Sequence, residues 1–68
     1  MLNLSYKKLF KKLIDIEMKN YEIMDKANIS KSTFYKIKNN QNVTTDTLLR
    51  ICNVLNCDIS EIVECVEK

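Results

Sequence analysis

The chain of 68 residues contains no His, no Gly, no Pro and no Trp. Without His it lacks the usual general base and the commonest metal ligand in proteins. Without Gly it can form neither a dinucleotide-binding fingerprint nor a glycine-rich phosphate loop. Without Pro it cannot offer a polyproline ligand. These absences exclude several classes of enzyme and binding module before any motif is considered.

Cysteine usage and hydropathy narrow the possibilities further. Cys52, Cys57 and Cys65 are five and eight residues apart, a spacing that does not match a zinc site. An odd number of cysteines without a secretory signal predicts reduced thiols in the cytoplasm. No apolar run approaches the roughly 18 residues of a membrane span. We therefore expect a cytoplasmic protein with no membrane association, no metal, no cofactor and no catalytic activity.

Length and charge bound the size of the fold and the kind of partner. A chain this short buries only about 60% of its unfolded surface, so we expect residues 1–68 to form one domain. Residues 1–38 hold nine Lys against four acidic residues, whereas residues 39–68 hold two basic residues against five acidic ones. Such asymmetry indicates a polyanionic partner for the first part. The alternative is that solvated lysines merely keep a small protein soluble.

The apolar periodicity is helical almost throughout and predicts five helices. Four of them follow a side chain that suits an N-cap, and these caps are Ser5, Ser30, Thr44 and Asp58. The predicted helices cover residues 6–18, about 20–27 and 31–38, followed by one helix after Thr44 and a fifth after Asp58. In a chain without Gly, Asn is the best residue for the left-handed conformation that closes a helix. Asn28 and Asn56 are therefore predicted to end the second and fourth helices.

Residues 20–38 have the arrangement of a helix-turn-helix. Phe34 and Ile37 are spaced to point inward from the second of these helices, whose outward face is polar and basic. A helix fits the major groove of DNA, and the N-terminus of the preceding helix suits a phosphate. An αα-hairpin of any function also has a turn and an exposed face. The residues on the outward face are Lys31, Ser32, Tyr35 and Lys36.

Residues 20–37, NYEIMDKANISKSTFYKI, resemble the helix-turn-helix of Cro and phage-repressor regulators of the xenobiotic-response-element type. The similarity continues through residues 43–62, which resemble the fourth helix and the capped start of the fifth. The resemblance implies an all-α, five-helix, lambda-repressor-like fold with the helix-turn-helix at helices 2 and 3. It also implies a small transcriptional regulator, a repressor, that binds double-stranded DNA.

The resemblance assigns roles to individual positions. The base-reading positions are Lys31, Ser32 and Lys36, with Tyr35 beside them. The positions that grip the phosphate backbone, or cap the recognition helix at residues 31–38, are Asn20, Ser30, Asn39, Gln41, Asn42 and Thr44. Two departures from the family pattern are Asn28, in place of the common Gly of the turn, and Asn20, which is one methylene shorter than the usual Gln.

A single recognition helix contacts only a few base pairs, so relatives pair about a two-fold axis on palindromic sites. We therefore expect a homodimer on a palindromic operator. The predicted fifth helix is the best candidate for the dimer interface, through Ile62, Val63 and Val66. The alternative function is a protein-interaction module, or an antitoxin-type partner-binding protein, that uses this fifth helix. Duplex-DNA binding that weakens steeply with salt separates the two functions.

Overall fold

The structure, a computed structural model, describes residues 1–67. It begins with strand β1, Leu2–Ser5, and contains four α-helices. The helices are α1 (Lys7–Asp15), α2 (Asn20–Lys26), α3 (Lys31–Lys38) and α4 (Thr45–Leu55). A 3₁₀ turn at Ile59–Glu61 and strand β2, Glu64–Glu67, follow them.

The helix boundaries around the turn and α4 agree with the sequence prediction because local side chains set them. The Oγ atom of Ser30 accepts a hydrogen bond from the N–H of Thr33 at 3.2 Å, and Thr44 does the same for Thr47 at 3.2 Å. Asn28 and Asn56 have φ angles of 54° and 52°, in the left-handed region. Ser30 and Thr44 as caps, and Asn28 and Asn56 as closing residues, are therefore confirmed.

The first helix is shorter at both ends than the predicted span of residues 6–18. Ser5 is not its N-cap, because Ser5 ends β1 and α1 begins at Lys7. At the other end Glu17 adopts a left-handed φ of 58°, and the N–H of Met18 donates to the carbonyl of Leu13 at 2.8 Å. This bond is the one that defines a Schellman closure. The apolar spacing continues to Met18 because Met18 still packs on the core.

One apolar cluster joins all four helices. Each helix contributes apolar residues from its predicted stripe, although Ile14 and Leu49 are exposed. Phe10 meets Phe34 edge to face at 6.0 Å between ring centroids. Edge-to-face contact is a favoured geometry for aromatic rings. The buried residues on the helices, or at the cap of α2 in the case of Ala27, are Leu9, Leu13, Ile23, Ala27, Phe34, Ile37, Leu48, Ile51 and Cys52.

The predicted fifth helix is wrong, and the described residues contain four helices rather than five. Asp58 does begin a helical turn, and it forms capping hydrogen bonds with Ser60 and Glu61. The turn is, however, a single 3₁₀ turn. The chain then extends and pairs with β1, placing Leu2 opposite Glu67 and Ser5 opposite Glu64. The partner strand lies about sixty residues away in sequence, so local periodicity could not reveal the pairing.

The acidic C-terminal segment lies against the basic face of α1. The Nζ atom of Lys12 lies 3.2 Å from a carboxylate oxygen of Glu61, and that of Lys8 lies 3.7 Å from Glu64. Lys8 also donates to the carbonyl of Ser60 at 3.1 Å. Two of the four lysines of α1 are thus engaged within the molecule, while Lys7 and Lys11 remain exposed.

The left-handed Glu17 generates a stability prediction. This conformation destabilises a residue with a Cβ atom by roughly 1–2 kcal/mol, and Gly adopts it without that strain. Part of the gain is offset because Gly has more conformational entropy in the unfolded chain. We expect Glu17→Gly to raise the free energy of unfolding by about 0.5–1 kcal/mol in urea titrations. Glu17→Ala keeps the Cβ atom and serves as the control, and an equal gain from Ala would contradict the explanation.

Folding stability should also fall at acid pH through the Glu61 carboxylate. The N–H of Asp58, and then Lys12, hold the pKa of Glu61 below its ordinary value. A lowered pKa contributes stability that is complete above the ordinary carboxyl pKa and is lost as the pH falls through the lowered one. Between about pH 5 and 3 the wild type should therefore lose more stability than Glu61→Gln. Asp25→Asn, at an exposed carboxyl outside the ion pairs of residues 1–67, should behave like the wild type.

Candidate nucleic-acid interface

Helix α3 presents two different faces. Phe34 and Ile37 are buried in the core on one side, which fixes the rotation of the helix about its axis. None of the four ion pairs within residues 1–67 involves a lysine of α3, so its positive charges are free for an external anion. The exposed side carries the four predicted base-reading residues, Lys31, Ser32, Tyr35 and Lys36.

The N-terminal end of α3 is organised by hydroxyl groups. Ser30 Oγ accepts from the N–H of Thr33 and donates to Thr33 Oγ1 at 3.0 Å. It also lies 3.1 Å from Ser32 Oγ. Ser30 is therefore committed to capping the helix, and it holds the Ser32 hydroxyl at the end of the helix that faces outward.

A shallow cleft joins the recognition helix to the start of α4. Lys36 of α3 lines this cleft together with Asn42 and Thr44, which precede α4. Thr33, Val43 and Thr47 complete the lining. The fold thus brings one predicted base-reading residue next to two predicted phosphate-binding residues, although they belong to different elements. The cleft also lies at the N-terminus of α4, where backbone N–H groups and the helix dipole favour an anion.

The remaining predicted phosphate-binding residues occupy different surroundings. Asn39 uses its side-chain Nδ2 to donate to the carbonyl of Tyr35 at 2.9 Å, so it closes the recognition helix. Gln41 is exposed in the loop after it. Asn20 is the exposed first residue of α2 and does not line the cleft. Asn39 consequently has a structural task that the sequence pattern did not reveal.

Arg50 of α4 forms a hydrogen bond with the turn of the helix-turn-helix. Its Nη1 atom donates to the carbonyl of the left-handed Asn28 at 3.1 Å, while its Nη2 atom lies 2.8 Å from Oδ2 of Asp46. The pair with Asp46 is visible in the sequence as an i,i+4 spacing. The contact with Asn28 spans 22 residues and could not be seen there.

The three residues predicted for a dimer interface differ in their exposure. Ile62 is fully buried and belongs to the core. Val63 is partly buried and packs against the same core. Val66 in β2 is 37% exposed, and Leu2 in β1 is 62% exposed. Of the predicted set, Val66 alone lies at the surface, and the two-stranded sheet rather than a fifth helix presents it.

Other kinds of site find little support in the described part of the chain. Residues 1–67 contain no group of three or more Cys, Asp and Glu side chains placed to hold a metal ion. The three cysteines are free thiols, and burial raises the pKa of Cys52 above its ordinary value. Over the same residues, no helix has the length and apolar character needed to cross a bilayer.

Two short helices joined by a capped turn define a helix-turn-helix domain, and the second exposes a basic face that takes part in no ion pair of residues 1–67. A family model described as the Cro/C1-type HTH DNA-binding domain matches residues 8–68. The chain belongs to this family. The family resemblance of the sequence is thereby confirmed, with four helices and a two-stranded sheet in place of the expected five helices.

A solved structure provides a close structural relative. The chain is similar to the transcriptional regulator VanUg, with 45% sequence identity and a TM-score of 0.95. The match covers 98% of this chain and 89% of that one. A comparison with curated proteins gives no significant match.

Proposed function

We propose that this protein is a sequence-specific transcriptional regulator, a repressor, that acts in the cytoplasm by placing α3 in the major groove of double-stranded DNA. The observation that carries the proposal is the basic face of α3, free of ion pairs within residues 1–67, beside the cleft of Lys36, Asn42 and Thr44. Repression requires only that the bound protein occupy a promoter. Family membership and the similarity to a transcriptional regulator support the same class of function.

The proposed DNA-binding surface makes two kinds of contact, to base edges and to phosphates. Lys31, Ser32, Tyr35 and Lys36 project from α3 and can reach base edges, where Lys donates to the O6 and N7 acceptors of guanine. Asn42 and Thr44 carry neutral donors beside the N-terminus of α4, which suit phosphate oxygens. Phosphate contacts position the protein without reading sequence. Specificity should therefore reside in α3, and orientation in the start of α4.

The deciding experiment is selection of bound sequences from a random duplex library, followed by affinity measurements at several salt concentrations. Binding through lysines should weaken steeply as salt rises, because each neutralised phosphate releases counterions. A protein that enriches no sequence, and binds duplex DNA weakly at every salt concentration, would overturn the proposal. The interaction-module alternative would then gain support, although the fifth helix that it required is absent from residues 1–67.

The division of labour predicts different outcomes for two variants. Lys36→Ala should relax the preference at one or two base positions of each half-site, by roughly 1–3 kcal/mol of discrimination. Asn42→Ala should weaken all sequences by a similar factor. Asn42 is a better probe than Asn39, whose side chain also closes the recognition helix.

The measurement is a binding profile over all single-base variants of the selected operator. A uniform loss for Lys36→Ala, together with altered preferred bases for Asn42→Ala, would show that the two roles are reversed.

A palindromic operator bound by a homodimer is part of the proposal. One recognition helix reads few base pairs, and two-fold pairing doubles the site. The sheet is the candidate interface, because Val66 and Leu2 expose apolar side chains there and each strand has one edge without a partner among the described strands. Unpaired strand edges are ready templates for another chain.

The dimer proposal predicts that Val66→Asp remains folded, sediments as a monomer and binds the operator much more weakly. Val63 is a poorer choice, since Asp at that position would disturb the core. Ile14→Asp is the matched control, because Ile14 is an exposed apolar residue on α1. Sedimentation at tens of micromolar, with and without operator DNA, is the measurement. A wild type that is monomeric in both conditions would exclude the dimer.

A further inference from the structure

Tyr6 connects the beginning of the fold to the loop that follows the recognition helix. Its side chain is fully buried. The hydroxyl group donates to the carbonyl of Gln41 at 2.7 Å, and the backbone N–H donates to Oδ1 of Asn40 at 3.2 Å. Burial raises the pKa of the Tyr6 hydroxyl, an effect partly offset by a backbone hydrogen bond from Val43. Two consecutive residues of the loop, Asn40 and Gln41, thus bond to one residue.

Apart from Tyr6, the loop is held at its two ends and by Val43, which packs against the core. At its start, Asn40 is left-handed with a φ of 56°, and the N–H of Gln41 closes α3 on the carbonyl of Lys36 at 2.8 Å. At its far end, Thr44 caps α4. Between these points, Tyr6 provides the long-range side-chain hydrogen bonds that reach the loop within residues 1–67.

We propose that Tyr6 is a positioning residue for DNA binding, which fixes residues 40–43 so that Asn42 faces the same phosphate as Thr44. The inference rests on the proposed function, because the loop must contact DNA for its position to matter. Tyr6 itself lies in the core and touches no DNA. Its effect is to order the loop before DNA binds. The loop then has less conformational entropy to lose when the complex forms.

The chemistry of the side chain favours this role over packing alone. A buried Tyr requires a partner for its hydroxyl, and Phe would fill the same volume without one. The hydroxyl donates to the carbonyl of Gln41, which lies 35 residues away in the sequence. The backbone N–H of Tyr6, at the N-terminal end of α1, selects the side chain of a left-handed Asn in the same loop. Both polar groups therefore converge on the loop.

The first test is Tyr6→Phe, which removes the hydroxyl and keeps the ring. Affinity for the selected operator should fall about 3- to 10-fold, the range expected for one lost hydrogen bond of ordinary strength. The loss should be the same for every single-base variant, so the preferred bases do not change. Tyr21→Phe, at an exposed tyrosine on α2, is the matched control and should bind as the wild type does.

A double-mutant cycle separates positioning from a general loss of stability. If Tyr6 acts through the loop, Tyr6→Phe should cost clearly less in an Asn42→Ala background than in the wild type. Equal costs in both backgrounds, or no cost in the wild type, would overturn the proposal. All affinities are measured below the temperature at which any variant begins to unfold. Asn40→Gly tests the same connection from the loop side, because Gly keeps the positive φ and removes the acceptor.

Amide hydrogen exchange without DNA distinguishes failure of this inference from failure of the proposed function. In Tyr6→Phe, exchange at residues 41–43 should accelerate while exchange in the middle of α3 stays unchanged. A wild type that does not bind duplex DNA would overturn both the function and the role of Tyr6. A wild type that binds, combined with unchanged loop exchange in Tyr6→Phe, would overturn the role of Tyr6 alone.

Discussion

Burial of Phe34 and Ile37 is the interaction on which the rest of the arrangement depends. These two side chains fasten α3 to the core and leave the opposite side of the helix to solvent. Phe34 also meets Phe10 edge to face, which couples the recognition helix to α1. Because an α-helix has about 3.6 residues per turn, inward placement of Phe34 and Ile37 turns Ser32, Tyr35 and Lys36 to the opposite side. Lys31 lies at the flank of that side and is also exposed. The outward position of the predicted base-reading residues therefore follows from packing on the other side of the same helix.

The uneven charge of the sequence has two consequences in the fold. Part of the basic excess of α1 meets the acidic C-terminal segment, through Lys12 with Glu61 and Lys8 with Glu64. These pairs are partly exposed and screened, so they add little stability and mainly keep the acidic strand on the α1 side. The lysines of α3 take no part in the ion pairs of residues 1–67. Positive charge is therefore left unpaired on the helix that is proposed to meet DNA.

The features that the sequence predicts well are those that neighbouring residues determine. Ser30 and Thr44 cap the helices that follow them, and Asn28 and Asn56 take the left-handed conformation that Gly would otherwise supply. The sheet could not be predicted in this way, because the partners of Glu64–Glu67 lie at Leu2–Ser5. The spacing of Ile59, Ile62 and Val63 fits a helix. In the structure Ile62 and Val63 pack in the core from the segment after the 3₁₀ turn, whereas Ile59 in the turn is 37% exposed. Pairing of the two strands over a long distance in sequence therefore outweighs a local apolar spacing that favours a helix.

The same distinction applies to the candidate site. The residues of its outer surface were identifiable from the sequence, whereas the residues that hold it in place were not. Arg50 reaches the carbonyl of Asn28 at the turn before α3, and Tyr6 reaches Asn40 and Gln41 at the loop after it. Both ends of the recognition helix are thus connected to distant parts of the chain by directed hydrogen bonds. A domain of this size has a small core and limited stability. Directed bonds at the two ends can fix the orientation of α3 without enlarging that core.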